Sequence, residues 1–158
     1  MSGMPNDLRH ELQQAKPFSS LEEEAFLNLA RTASELGDSL ELLLKTYGIS
    51  AAQYNVLRIL RGAGPAGLCR NEIRDRLVAR MPDVTRLLDR LEALSYVRRQ
   101  RDTDDRRQVA TFLSDVGSDL LARLDVPIET THKRQLQHLT ADELRTLIAL
   151  TTRARQRA

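Results

Sequence analysis

The spacing of apolar residues changes character once along this chain, just after Ser95. Before that point apolar residues recur every three or four positions, the period of a helix with one buried face. From Tyr96 to Arg101, and again from Gln108 to Leu113, the runs become short and β-compatible, with the polar turn Asp102-Thr103-Asp104-Asp105 between them. The helical period returns at Ser114. A chain that is helical on both sides of a single hairpin has few architectures open to it. The expectation is a mainly α protein with a small β-hairpin wing set on helices.

Start and stop signals divide the helical parts. Residues 1–17 read as an arm with a short helical tendency over Leu8–Ala15, ended by Pro17. A long helix begins at Ser19 or Ser20, each an N-cap residue with a glutamate three places on. Its apolar face is Leu21, Ala25, Leu29, Ala33, Leu36, Leu40, Leu43 and Leu44, and Tyr47-Gly48 ends it. Ser50 caps a second helix that breaks at the Gly-rich stretch 62–67. A third runs from Arg70 to about Val78 and buries Ile73 and Leu77. Pro82 opens a fourth, where its missing N–H costs nothing, and that helix continues to about Ser95. Its inward stripe is Val84, Leu87, Leu88, Leu91 and Leu94; Asp83, Thr85, Arg86, Asp89, Arg90 and Ala93 face outward. Ser114 caps a fifth helix to about His138, which Pro127 kinks or splits. Thr140 and Glu143 form a capping box for a last helix to about Arg155.

Two short helices joined by a tight turn and followed by a hairpin form the plan of a winged helix-turn-helix. The second helix of such a pair fits the major groove of double-stranded DNA. Asp83, Thr85, Arg86 and Arg90 are then the candidates for base edges, and Arg70 and Asn71, at the start of the third helix, for phosphate. Arg98, Arg99 and Arg101 on the hairpin are placed to follow the backbone. Asp83 either caps its helix or accepts a hydrogen bond from cytosine N4. Charge leans the same way. The net charge is only +2, yet residues 70–107 hold eleven arginines against eight acids, whereas residues 1–45 hold four basic and eight acidic side chains. A plainer reading is that Arg86 and Arg90 pair with Asp83, Asp89 or Glu92 along their own helix.

Other chemistries lack their residues. One cysteine, Cys69, excludes an internal disulfide and a cysteine-based zinc site. His10, His132 and His138 are scattered. No nucleophile–base pair, phosphate-cradling loop or metal cluster is present. The expectation is no enzyme, no metal and no cofactor. No apolar run approaches the roughly 20 residues a bilayer requires, and the polar first residues offer no signal peptide. A cytoplasmic protein without a membrane span is expected.

The stretch Thr85-Arg86-Leu87-Leu88-Asp89-Arg90-Leu91-Glu92, then Tyr96-Val97, Asp102-Thr103-Asp104-Asp105-Arg106-Arg107 and Leu113-Ser114-Asp115-Val116-Gly117 resembles the core signature of the multiple-antibiotic-resistance regulator (MarR) family. The resemblance extends in order and spacing from Ser20 to the final helix. It implies a winged helix-turn-helix lobe over residues 49–113 and a helical dimerisation region over 18–48 and 114–158. It also implies that Asp89 pairs with Arg107 to brace the wing, while Arg106 enters the adjacent minor groove, whose negative potential attracts Arg. The partners implied are double-stranded DNA, a second copy in a homodimer, and a small-molecule effector between the dimer region and the DNA-binding lobe. With three Phe, three Tyr and no Trp, a strongly aromatic cage is not expected, and Phe26, Tyr47, Tyr54 and nearby leucines are the candidates to line an apolar cleft for an apolar or aromatic effector. The function implied is a regulator, more often a repressor, released by its ligand from a pseudo-palindromic operator. A competing reading is a helical dimer that binds a small molecule or protein and no operator.

Three departures from the family pattern stand out. Ser95 occupies a position where Gly is frequent. Val78-Ala79-Arg80-Met81 replaces a turn that often holds Gly, so these residues could lengthen the third helix. Cys69 lies far from the start of the long helix, where oxidant-sensing relatives carry their thiol, which argues against a redox role.

Overall fold

Hydrogen-bonded caps set most of the helix boundaries in the computed structural model, which describes residues 8–101 and 109–156. A short helix, α1 (Leu8–Glu11), precedes α2 (Leu21–Lys45), whose N-cap is Ser20. Ser19 adds a second tie, its N–H and hydroxyl both donating to Glu23 at 2.6 Å. At the other end the amide of Gly48 donates to Lys45 and that of Ile49 to Leu44. Gly48 sits at φ +75°, as this C-terminal motif requires. Next, α3 (Ala51–Ala63) opens on a capping box of Ser50 and Gln53, and a single 3-10 turn, Gly64–Ala66, follows it.

The reading lobe then forms from β1 (Leu68–Cys69), α4 (Arg70–Arg76), α5 (Val84–Ala93), β2 (Val97–Arg101) and β3 (Val109–Leu113). Several sequence expectations are corrected here. Pro82 lies outside the helix, because Asp83 is the N-cap and α5 starts at Val84. The stretch from Val78 to Met81 does not extend α4, which ends at Arg76 with Leu77 in an extended conformation. Leu94 is 45% exposed, since α5 has already ended; Val84, Leu87, Leu88 and Leu91 form the buried stripe. The hairpin has a third strand: β1 pairs antiparallel with β3, giving the order β1-β3-β2. Two residues are too short a run for a period-2 signal, so β1 escapes sequence reading. The turn Asp102-Thr103-Asp104-Asp105, with Arg106, Arg107 and Gln108, lies outside the described residues.

The last two helices are α6 (Asp115–Leu136) and α7 (Ala141–Arg155). Pro127 does not split α6. The first turn of α6 meets the start of the wing closely. A Cβ on Gly117 would fall 2.2 Å from the Tyr96 carbonyl oxygen, so only glycine fits. Ser114 caps this helix and donates its hydroxyl to the Ser95 carbonyl at 2.6 Å.

One core joins α2, α3 and α6 to the reading lobe. Leu44, Val56, Leu57, Leu60, Ile73, Leu91, Leu120, Leu121 and Leu124 are fully buried in it. Polar ties also hold α2, α3 and α6 to one another. Arg61 on α3 grips Asp125 on α6 with one nitrogen at 2.9 and 3.0 Å from its two oxygens. Glu41 on α2 accepts from the amide of Ala51 at 2.7 Å. By contrast, α7 has no buried residue, and Leu21, Phe26 and Leu29 on the first half of α2 are exposed.

Candidate nucleic-acid interface

The outward face of α5 carries Thr85, Arg86, Asp89 and Arg90, all exposed. Its acids are occupied. Asp83 accepts from the backbone amide of Arg86 at 2.9 Å, which satisfies one of the free N–H groups of the first turn. Of the two readings of Asp83, the structure contains the cap, made through one of its two carboxylate oxygens. Asp89 and Glu92 are taken by Arg99, which arrives from β2. The Arg99 guanidinium is 2.5 Å from Asp89 Oδ1 and 2.6 Å from Glu92 Oε2, with its Nε 2.8 Å from the same Glu92 oxygen. The hydrogen bond that Arg99 donates to Glu92 is the chief cause of its raised pKa, with Asp89 adding to it and burial opposing.

The arginines of α5 are left without acids. Among the described residues, neither Arg86 nor Arg90 makes a side-chain hydrogen bond or ion pair, so the pairing along their own helix does not form. Arg70, at the start of α4, reaches across to the Thr85 hydroxyl at 3.3 Å. Together with Asn71, Arg99, Cys69, Leu88, Val109 and Thr111 these two residues line a cleft of about 570 Å³ between α4, α5 and the wing.

Strand alternation separates the hairpin arginines. Register pairs Arg98 with Phe112, Arg99 with Thr111 and Arg101 with Val109. Successive side chains of a strand point to opposite faces, so Arg99 and Arg101 share one face and Arg98 occupies the other. There the Arg98 guanidinium lies 4.4 Å from the centre of the Phe112 ring, a cation–π contact, and donates to Gln100 at 3.3 Å. The three therefore do not form one row. Arg101 is exposed. Arg99 is the least free, with a side chain 24% exposed. Arg106 and Arg107 lie outside the described residues.

Sequence reading missed the partner of Glu92. It is seven positions ahead and across a helix–strand junction, where no helical spacing rule applies. The aromatic residues expected around an effector do not converge. Phe26 and Tyr47 lie at opposite ends of the α2 segment, roughly 30 Å apart at 1.5 Å per residue, and Phe26 is exposed. Tyr47 and Tyr54 do pack against the common core. Among the described residues no group of three or more His, Cys, Asp or Glu could hold a metal ion. No helix among them is long and apolar enough to cross a membrane.

A helix-turn-helix whose second helix is tied by side chains to a β-hairpin, with long helices before and after, defines the class: a winged helix-turn-helix protein. The MarR family sequence model matches residues 49–109. A solved MarR transcription factor from Planctomyces limnophilus is 43% identical, with a TM-score of 0.67 over 86% of this chain and 98% of the other. A mutant MarR from E. coli complexed with operator DNA is 25% identical, with a TM-score of 0.75 over 96% of this chain and 100% of the other. The HTH-type transcriptional regulator TtmR of Methylorubrum extorquens (strain PA1) is 35% identical over 82% of this chain, which spans 64% of that relative's length. The chain belongs to the MarR family.

Proposed function

We propose that this protein is a cytoplasmic, homodimeric transcription regulator, not an enzyme, that binds double-stranded operator DNA and is released by a small apolar or aromatic effector. One observation carries the reading. The acids around α5 are consumed by a backbone amide and by Arg99, while Arg86 and Arg90 project from the exposed face unpaired among the described residues. A helix presented this way suits bidentate contact with guanine and electrostatic contact with phosphate. Thr85 adds a hydroxyl at the same end, and Arg70 and Asn71 border it from α4. Arg98 and Arg101 lie along the hairpin for backbone contact. Arg106 keeps the role its motif implies, minor-groove insertion, and Arg107 would brace the wing by sharing Asp89 with Arg99. Asp83 serves the site as a cap, not as a base reader.

Two such helices in a dimer would enter successive major grooves, which calls for a pseudo-palindromic site with half-sites about 34 Å apart. The effector would act through Tyr47 and Tyr54, where the long helix meets the reading lobe, and Phe26 plays no part in that pocket. A coupling of about 1–3 kcal/mol would suffice to release DNA.

The test is a titration of the protein against the DNA upstream of its own gene at several salt concentrations. Affinity should fall steeply with salt as counterions are released. Arg86→Ala should weaken specific binding by about 1–3 kcal/mol while leaving the circular dichroism unchanged. Equal affinity for unrelated duplex and for the upstream region would refute the reading.

A further inference from the structure

We propose that Arg99 is a positioning residue, not a phosphate contact: with Glu92 and Asp89 it fixes the angle of the wing against α5 and so sets sequence preference at the base pairs flanking each half-site. The inference rests on the DNA-binding reading above.

The geometry is that of a clamp with two jaws on one strand residue. Glu92 Oε2 receives the Arg99 side chain through Nε at 2.8 Å and a terminal nitrogen at 2.6 Å. Glu92 Oε1 receives the backbone amide of the same residue at 3.2 Å. That amide points away from β3, at the open edge of β2, where no strand can satisfy it. One carboxylate therefore holds both the main chain and the side chain of Arg99. Asp89, almost one helical turn earlier, accepts from the same terminal nitrogen of the guanidinium. An arginine fork with two carboxylates resists rotation in a way a single ion pair does not.

The clamp also has the right location. Arg99 is the middle residue of β2, between the buried Val97, where the strand leaves the core, and the exposed Arg101, where the described part of the wing ends. Any tilt of β2 about Val97 is amplified toward its far end. Restraining the middle of the strand from α5 makes the wing and the recognition helix one rigid unit, so the groove depth of one dictates the reach of the other. The paired guanidinium is largely withdrawn from solvent, whereas Arg86, Arg90 and Arg101 are exposed.

The experiment selects bound sequences from a pool of randomised duplexes with the full-length protein, with Arg99→Gln, with Arg99→Lys and with Glu92→Gln. Salt dependence of affinity is then measured on the enriched duplex. Thermal unfolding by circular dichroism accompanies each variant, and Glu92→Gln keeps the test open if Arg99→Gln fails to fold. The parent should enrich a two-part motif with preferred flanks. Arg99→Gln and Glu92→Gln should both lose the flank preference, by about tenfold, while keeping the central half-site bases and the parent's salt slope. Arg99→Lys should recover part of it. Glu92→Gln is decisive in sign. Removing an acid near DNA strengthens binding if only charge matters, but relaxes the flanks if Glu92 positions the wing. A salt slope reduced by about one in Arg99→Gln, or flanks unchanged in both variants, would overturn the inference. A parent that enriches no sequence would instead overturn the DNA-binding reading beneath it.

Discussion

Two residues at the junction of α5, β2 and α6 show how much a single position decides. Gly117 has no room for a methyl group, because the Tyr96 carbonyl occupies the place its Cβ would take. Gly117→Ala should therefore destabilise the protein by about 3 kcal/mol, the upper range for forced overpacking, and urea denaturation would measure it. A loss under about 1 kcal/mol would mean the junction is looser than described. Ser95 sits at φ +60°, with its amide donating to Glu92 and the next amide to Leu91. The left-handed turn expected of a glycine is thus made by serine, held also by the Ser114 hydroxyl on its carbonyl. The sequence supplied the Leu-Ser-x-x-Gly motif but not its reason. That reason is a contact with a carbonyl 21 positions earlier, which no local pattern encodes.

Helix starts were the most legible elements. Ser20, Ser50, Ser114 and Thr140 all cap where their side chains predicted. Capping is a local interaction between residues three apart, so the sequence alone contains it. Helix ends and the faces of strands were less legible, because tertiary partners settle them. Leu94 left the buried stripe, and Arg98 and Arg99 fell on opposite faces. The capping carboxylates also make these helix starts sensitive to acid. Backbone hydrogen bonds from Cys69 and Thr140 lower the pKa of Glu72 and Glu143 below the ordinary 4.5, and Ser19 does so for Glu23, chiefly through its hydroxyl. A carboxylate with a depressed folded value stabilises fully above its unfolded value and loses that contribution as pH falls through the folded one. The thermal midpoint should accordingly drop as pH falls below about 4.5. In Glu143→Gln, which keeps the acceptor but cannot titrate, the drop should be smaller. An equal drop would mean the caps do not report on stability.

At the scale of the whole molecule the protomer leaves apolar helix surface uncovered. A helix of about 15 residues is marginal alone in water, yet α7 has no buried residue and exposes Ile148 by 64% and Leu150 by 54%. The exposed Leu21, Phe26 and Leu29 on α2 present a similar apolar surface. The homodimer proposed above would account for both if a second copy covered these residues. Ile148→Asp placed twice across a symmetric interface should weaken self-association at least about a hundredfold, since each buried isoleucine contributes roughly 1.5–3 kcal/mol. Sedimentation equilibrium would show it, and an unchanged dimer would exclude α7 from the interface.

An uncovered final helix ties folding to abundance. If the proposed pairing runs through α7, a lone chain at low concentration has nothing for that helix to lean on and frays there. Supply would then act as a threshold, below which the final helix of a lone chain stays open and above which pairing orders it.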